Sequence, residues 1–302
     1  IPVRLSWSAV PFLTILELSM IAFVGTGLLG SGFVRALRRR GETVHVWNRT
    51  AARAHELADS GAIQFDNPAD AVRGASLVHI CVSDDAAVDA VIEQLRPGLE
   101  PNAVIVDHTT TAPVPTAART TRLTADGIAF QHAPVFMGPS NALNATGSML
   151  ASGDRAIFER VKGALEPMTG KLIYLGDEPG RAASFKLMGN LVLIFVSAGI
   201  ADMFELARAG GISGDDAAEL LNWFNPAGGL DSRANRMLHG DLSQPSWTLA
   251  MARKDARLMI ESAAEGKRPL AVLPAIAAEM DRWIAKGDAD QDWMVIGTGA
   301  RK

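Results

Sequence analysis

The feature that most constrains the fold is a glycine-rich loop between an apolar segment and a helical pattern. Its residues are Gly25, Thr26, Gly27, Leu28, Leu29 and Gly30. In a G-x-G-x-x-G loop the first glycine permits a tight turn, the second admits a pyrophosphate, and the third lets the helix pack against the sheet. Backbone N–H groups at the start of the helix then bind the anion. The loop predicts a dinucleotide-binding unit in which a strand leads into a helix.

Short apolar runs alternate with helical patterns along the first part of the chain. The runs cover residues 20–25, 43–47, 76–82 and 103–107, and the helical patterns cover residues 28–40, 51–60, 84–95 and 113–124. This alternation is typical of a parallel sheet with helices on both faces. We expect an α/β Rossmann-type, doubly wound parallel sheet that forms an NADP-binding domain over residues 20–180.

The character of the sequence changes near Gly180. Helical patterns without strand-like alternation follow, at residues 181–209, 215–224, 247–265 and 270–286. We therefore expect residues 181–302 to form an all-helical domain that serves the substrate and dimerisation. The apolar run at residues 187–200 predicts a helix buried all round, at a domain or subunit interface.

Composition excludes several classes of function. The 302 residues carry a net charge of -4 and show no basic block, which argues against a nucleic-acid partner. With one cysteine, Cys81, the chain can form neither an internal disulfide nor a cysteine metal cluster, which fits a reducing cytoplasm. The spacing of His, Asp and Glu suggests no metal site.

Residues 1–19 are treated separately. Their apolar run, residues 9–18, is broken by Pro11 and Glu17 and is too short to span a bilayer. No small-residue cleavage site follows, as a signal peptide would require. Since Met20 begins the first strand directly, we interpret it as the natural start and residues 1–19 as an extension that need not be native.

The end of the second predicted strand bears on the choice of dinucleotide. An NAD site usually has Asp or Glu there, whereas this chain has Asn48, Arg49 and Thr50. Arg49 can pair with a 2′-phosphate through its planar guanidinium, and Thr50 can add a hydroxyl. The alternative is that Arg49 is a solvated loop residue. We expect NADPH as the cofactor.

Lys186 lies among the apolar residues Phe185, Leu187 and Met188, with Asn190 one helical turn further on. A partly desolvated lysine has a lowered pKa and can exchange protons near neutrality. A lysine whose charged end reaches solvent from an interface helix would show the same pattern. The pattern alone leaves both interpretations open.

Three further motifs follow the glycine-rich loop in a fixed order. Residues 107–113 resemble D-x-S-T-x-x-P, residues 180–190 resemble G-x-G-x-x-x-K-x-x-N-N, and Lys254-Asp255 resembles a K-D pair. From residue 20 to near residue 297 the chain resembles the β-hydroxyacid dehydrogenase family. That family includes 3-hydroxyisobutyrate dehydrogenase, tartronate semialdehyde reductase and glyoxylate/succinic semialdehyde reductases. The resemblance to 6-phosphogluconate dehydrogenase and imine reductases is more distant.

The resemblance implies roles for three residues in the second half of the chain. Lys186 matches the catalytic lysine, which exchanges a proton with the substrate, and Asn190 matches its partner asparagine. Lys254 matches a lysine that reaches the cofactor and substrate cleft, although a surface lysine paired with Asp255 is the alternative. The resemblance also implies a homodimer, possibly extended to a tetramer.

The resemblance also assigns residues around the cofactor. Thr109 and Thr110 match hydroxyls near nicotinamide and substrate, and Val82 and Ser83 match a loop beneath the cofactor. The segment Asn48-Arg49-Thr50 resembles the corresponding segment of the family members that use NADPH.

The chain departs from the family at the substrate loop. Members commonly have D-A-P-V-S-G-G, whereas this chain has Phe136, Met137 and Gly138 in the last three positions. In the lysine motif, Ala182 and Gly189 replace a glycine and the first asparagine. Because the serine that would bond a substrate carboxylate is missing, we expect a reshaped pocket around these residues.

We therefore predict an NADPH-dependent oxidoreductase for a small aldehyde, ketone or β-hydroxy acid. Imine reduction is one alternative, which the retained Lys186 argues against and the altered loop at Phe136 leaves open. A non-catalytic scaffold is another, for which the Lys186–Asn190 pair would have no use. His108 and His132 fall in motif positions that can line the cleft. The remaining histidines are interpreted as structural: His45, His55, His79 and His239.

Overall fold

A computed structural model describes residues 20–301, so the interpretation of residues 1–19 lies outside the described residues. Six parallel strands form the main sheet, in the order β3-β2-β1-β4-β5-β6. They are β1 (Ile21–Val24), β2 (Val44–Trp47), β3 (Ile63–Gln64), β4 (Leu77–Ile80), β5 (Val104–Asp107) and β6 (Ala129–His132). The strand order reverses direction between β1 and β4, which is where such sheets bind ligands at their carboxyl ends.

Helices cover both faces of this sheet. Alternate residues of β1 enter different cores: Ile21 and Phe23 pack on one side, and Ala22 and Val24 on the other. The connecting helices are α1 (Leu28–Arg39), α2 (Ala51–His55), α3 (Pro68–Val72), α4 (Asp85–Leu95) and α5 (Pro113–Ala125). The predicted Rossmann-type, doubly wound sheet is confirmed, and the predicted elements lie within a few residues of those observed.

A smaller sheet follows the main one. It contains β7 (Val135–Phe136), β8 (Ser148–Ala151) and β9 (Lys171–Tyr174), with α6 (Pro139–Leu143) and α7 (Arg155–Leu165) between them. β7 pairs antiparallel with β8, and Phe136 lies opposite Ser148. The residue after β8, Ser152, accepts a 2.8 Å hydrogen bond from the Ala182 N–H. This bond fixes the start of the next helix against the small sheet.

That next helix, α8 (Arg181–Ala209), contains the division of the described residues into two compact units, which falls between Asn190 and Leu191. The sequence pattern predicts this boundary about ten residues nearer the N-terminus, near Gly180. The other helices of the second unit are α9 (Gly214–Trp223), α10 (Leu230–His239), α11 (Leu249–Glu265) and α12 (Leu273–Ala285). Asp202 of α8 accepts hydrogen bonds from the N–H groups of residues 271–273 at 2.7–2.9 Å, which caps the start of α12.

The apolar run of α8 is exposed in the single chain, so its predicted burial depends on a subunit interface and stays a prediction. Leu193 and Ile194 are 63% and 66% exposed, and the apolar residues around them are also exposed. An apolar pattern shows that exposure of a surface to water is unfavourable, but it does not show whether the same chain or another chain covers that surface. By length and composition alone, α8 would also be sufficient to cross a membrane.

Candidate dinucleotide and substrate site

The glycine-rich loop connects β1 to α1 at the carboxyl edge of the main sheet. Gly25 has φ +93°, and a Cβ there would lie 2.2 Å from the carbonyl oxygen of Cys81. A Cβ on Gly30 would lie 2.1 Å from the carbonyl oxygen of Gly25. Any side chain at these two positions would push the loop away from the sheet, because real Cβ atoms do not approach other atoms so closely.

The start of α1 is suited to an anion. Its N-cap residue is Gly27, no side chain caps the helix, and its first turn contains no acidic residue. The first N–H groups of a helix are donors without partners inside the helix, and the helix dipole makes this end positive. This end of α1 faces a cleft of about 480 Å³ whose lining includes Gly27, Leu28 and Leu29. The helix start therefore offers donors to a phosphate group.

Asn48, at the end of β2, holds this loop in place. Its Oδ1 accepts a 3.0 Å hydrogen bond from the Thr26 N–H, and its Nδ2 donates to the Thr50 carbonyl at 2.9 Å. The Thr26 side chain is buried, and its N–H and carbonyl groups are bonded to Asn48 and Ser31, so Thr26 keeps the loop in shape. Both ends of the Asn48 amide are thus occupied within the protein.

Two arginines lie at the same end of the cleft. Arg49 and Thr50 line it as predicted, and both are exposed. Arg53, in α2, also lines the cleft, and sequence analysis missed it. Its position in the first turn after Thr50, the N-cap residue of α2, was the available signal, because that turn follows the segment predicted to bind the 2′-phosphate.

The opposite wall combines the ends of β4 and β5. Val82, Ser83, Thr109 and Thr110 all line the cleft. The Thr109 hydroxyl is buried and accepts a 3.1 Å hydrogen bond from the Val82 N–H, so it joins the two loops. Thr110 is exposed, which leaves its hydroxyl available to a ligand.

Asp107, at the end of β5, supports this wall from below. It is fully buried, and its Oδ1 accepts a 2.9 Å hydrogen bond from the Thr109 N–H. Burial raises the pKa of Asp107 to about 7, against the opposing effect of its bonds with Thr109. The carboxyl group therefore shapes the threonine loop and does not face a ligand.

Both motif histidines are buried and hydrogen-bonded within the protein. His108 lines the cleft, but its Nδ1 donates to the Ala133 carbonyl at 2.8 Å, so its Nε2 accepts a 2.9 Å hydrogen bond from His79 Nδ1. His132 Nε2 lies 3.0 Å from the Thr109 carbonyl oxygen. Burial lowers the pKa of both His108 and His132 to about 4. Neither ring is placed to give a proton to a ligand at neutral pH.

Lys186 and Asn190 meet on α8 as the i, i+4 spacing predicts. Lys186 Nζ donates a 3.0 Å hydrogen bond to Asn190 Oδ1, and the lysine is only 8% exposed. Burial lowers the pKa of Lys186 below its usual value. A lysine that reaches solvent would lack this desolvation, so the geometry argues against the surface interpretation, and the acid/base role of Lys186 stays a prediction.

The altered substrate loop lies against this lysine. The ring of Phe136 has its centroid 4.4 Å from Lys186 Nζ. Met137 packs against the core, and the Gly138 N–H donates to Asn141 Oδ1 at 2.9 Å.

Lys254 lies in α11 of the second unit. Its side chain is 43% exposed, and its Nζ lies 2.7 Å from Asp255 Oδ1. Its predicted reach into the cleft stays a prediction.

The fold and the cleft together define a dinucleotide-binding protein of the Rossmann class. The family model of the NAD binding domain of 6-phosphogluconate dehydrogenase matches residues 20–176, more than half of the chain. The chain belongs to this family and, within it, to the β-hydroxyacid dehydrogenase family, as the resemblance of its motifs implied.

Relatives extend the similarity over most of the chain. It is 30% identical over 280 residues to the cytokine-like nuclear factor N-PAC of Xenopus tropicalis, covering 91% of this chain and 52% of that protein. It therefore spans about half the length of that relative. It is 28% identical to the 3-sulfolactaldehyde reductase of Escherichia coli strain K12, covering 92% of this chain and 95% of that protein.

A solved structure shares the fold. The imine reductase from Myxococcus stipitatus in complex with NADP+ superposes with a TM-score of 0.85 at 21% identity. The match covers 92% of this chain and 98% of that one. This likeness shows the fold alone.

Proposed function

We propose that this protein is an NADPH-dependent reductase of small carbonyl compounds, in which Lys186 is the proton donor. The observation that carries the proposal is the hydrogen bond between Lys186 Nζ and Asn190 Oδ1 on a buried turn of α8. A general acid must be held in position and must release its proton near working pH. The asparagine positions the ammonium group, and burial lowers the pKa of the lysine.

The residues of the first unit fit a dinucleotide phosphate. The uncapped start of α1 offers backbone donors to a pyrophosphate, and Arg49 with Arg53 offers positive charge to a 2′-phosphate. The end of β2 has Asn48, which is tied to the loop, in the place of an acidic residue. When bound, the reduced nicotinamide would supply a hydride to the carbonyl carbon.

The chain's own residues would then complete the reaction. The Lys186 ammonium protonates the developing alkoxide, while Asn190 Oδ1 accepts a hydrogen bond from one N–H of the ammonium and so keeps Nζ directed. Thr110 presents an exposed hydroxyl to the ligand, and Thr109 keeps the loop below it rigid. In the reverse oxidation, the neutral amine of Lys186 accepts the proton.

Imine reduction is the second candidate. The aromatic ring beside Lys186 and the shared fold of the Myxococcus stipitatus imine reductase favour it. A scaffold without catalysis is favoured only by the likeness to N-PAC, and it gives no reason for burying a lysine at a cost in solvation.

A panel assay tests the proposal. NADPH oxidation is followed with a series of aldehydes and ketones, each with and without a primary amine. Turnover of carbonyl compounds without amine is the expected result. Turnover only with amine present would favour imine reduction, and no turnover by protein that binds NADPH would favour the scaffold.

We also expect a homodimer, because the apolar face of α8 around Leu193 and Ile194 is exposed in the single chain. Sedimentation at micromolar concentration, without detergent, should show a dimer or tetramer. Ile194→Asp should convert it to monomer, because a charge in an apolar interface loses its solvation. Ile63→Asp, at an exposed apolar position of β3, is the matched control and should leave assembly unchanged. A monomer in the unaltered protein would contradict the expectation.

A further inference from the structure

Two departures from the family pattern lie in different elements but form one structural feature. A Cβ built on Gly189 of α8 would lie 2.3 Å from Cζ and 2.5 Å from Cε1 of Phe136 in β7. Separations this short do not occur between real side chains, so the ring occupies the space that any side chain at position 189 would need. The missing asparagine and the missing serine are therefore replaced together by one aromatic ring.

This ring changes the surroundings of the acid/base group. Phe136 is half-buried, with its ring centroid 4.4 Å from Lys186 Nζ. An aromatic face attracts an ammonium group, which holds the lysine beside the ring. The ring offers no hydrogen-bond donor, so an anionic ligand group that comes to lie against it loses its water and gains no hydrogen bond from the ring.

The remaining groups of the substrate loop give a carboxylate no better partner. The Met137 side chain is apolar and packs against the core of the first unit. The Gly138 N–H, the backbone donor of the retained glycine, is already bonded to Asn141 Oδ1. A carboxylate placed here would lose its water and gain no hydrogen bond from Phe136, Met137 or Gly138.

We propose that Phe136 and Gly189 together select carbonyl substrates that carry an uncharged, apolar group where hydroxy-acid substrates carry a carboxylate. The inference rests on the proposed function. In the reaction, the carbonyl π bond breaks, its carbon gains a C–H bond from the two-electron hydride, and its oxygen gains the proton from Lys186. NADPH is the reductant and leaves as NADP+, and the lysine regains its proton from water.

The test uses substrates matched in shape. Glyoxylate is paired with isobutyraldehyde, and succinic semialdehyde with 4-methylpentanal, because in each pair an isopropyl group replaces the carboxylate. The unaltered protein should favour the uncharged member in kcat/KM by on the order of 100-fold. The combined variant Phe136→Ser with Gly189→Asn should shift this ratio towards the carboxylate by about 100-fold, the effect expected from restored charged hydrogen bonds. Phe65→Ser, at a half-buried aromatic residue that packs on His45, should leave the ratio unchanged.

A second measurement needs no substrate. Gly189→Asn alone should lower the melting temperature by on the order of 5 °C, because the new side chain and the ring compete for one space. In the Phe136→Ser background the same change should cost little. Gly163→Asn, in α7 with open space around its Cβ position, controls for the general cost of removing a helical glycine.

The outcomes separate the two proposals. If no variant reduces any carbonyl compound although NADPH binds, the proposed function fails and the inference fails with it. If the protein reduces carbonyl compounds but treats both members of each pair alike, or if the combined variant leaves the ratio unchanged, only the inference is overturned. An equal loss of melting temperature from Gly189→Asn in both backgrounds would also overturn it.

Discussion

Replacing Lys186 by alanine should lower the turnover number by about 10²- to 10⁴-fold, the range for loss of one general acid/base. NADPH affinity should change little, because the donors and charges facing the cofactor cleft lie at α1 and α2. Lys186→Arg should restore little activity, since a guanidinium does not release its proton at working pH. Asn190→Ala should cost less, since the amide only positions the ammonium.

The measurements must separate chemistry from folding. Turnover, NADPH affinity and melting temperature are measured on one sample of each variant, with Lys162→Ala in α7 as a matched surface lysine. For the reduction, kcat should fall as pH rises through the lowered pKa of Lys186, because only the ammonium form donates a proton. In the pH profile of Lys186→Ala, kcat should not show this fall. A lower melting temperature with turnover per folded molecule intact would instead assign the lysine a structural role.

The unaltered protein should bind NADPH more tightly than NADH, and Arg49→Ala should remove most of the difference. A charged hydrogen bond to a phosphate contributes about 1.5–3 kcal/mol, so the expected effect is on the order of 10- to 100-fold in the dissociation constant for NADPH. The constant for NADH should stay nearly the same. Fluorescence titration with both cofactors measures the two constants directly.

Arg53 provides a second step in the same experiment. Since it lines the same cleft as Arg49, the double variant with alanine at both positions should lose more NADPH affinity than Arg49→Ala alone. Arg73→Ala, which removes an exposed arginine paired with Asp70, is the control. Equal dissociation constants for the two cofactors in the unaltered protein would contradict the assignment of NADPH.

Local sequence patterns predicted the parts of the site that are close in sequence. The strand, glycine loop and helix around Gly27 follow from spacing, as does the meeting of Lys186 with Asn190 across one helical turn. In both cases a period of the backbone fixes which groups face each other. The role of Asn48 was harder to predict, because its hydrogen bond from the Thr26 N–H joins two loops that only the sheet brings together.

Contacts between distant segments could not be predicted. Phe136 and Gly189 were each recognised as unusual, but β7 and α8 are separated by most of the small sheet, and nothing local relates them. The sequence likewise marked α8 as apolar, but periodicity does not identify what covers a surface, so it did not show that this face is exposed in the single chain. The residues that pack against this face lie outside α8, so the sequence of α8 does not identify them.

The close approach of Phe136 to Gly189 also constrains the order in which such a site can arise by mutation. Starting from serine and asparagine at these positions, a ring that enters first meets the asparagine side chain, so that intermediate is less stable. An intermediate with glycine at position 189 avoids this clash and leaves a gap beside the lysine. In the reverse direction, loss of the ring before a side chain returns at position 189 avoids the same clash. The contact therefore makes the effect of a substitution at one position depend on the residue at the other.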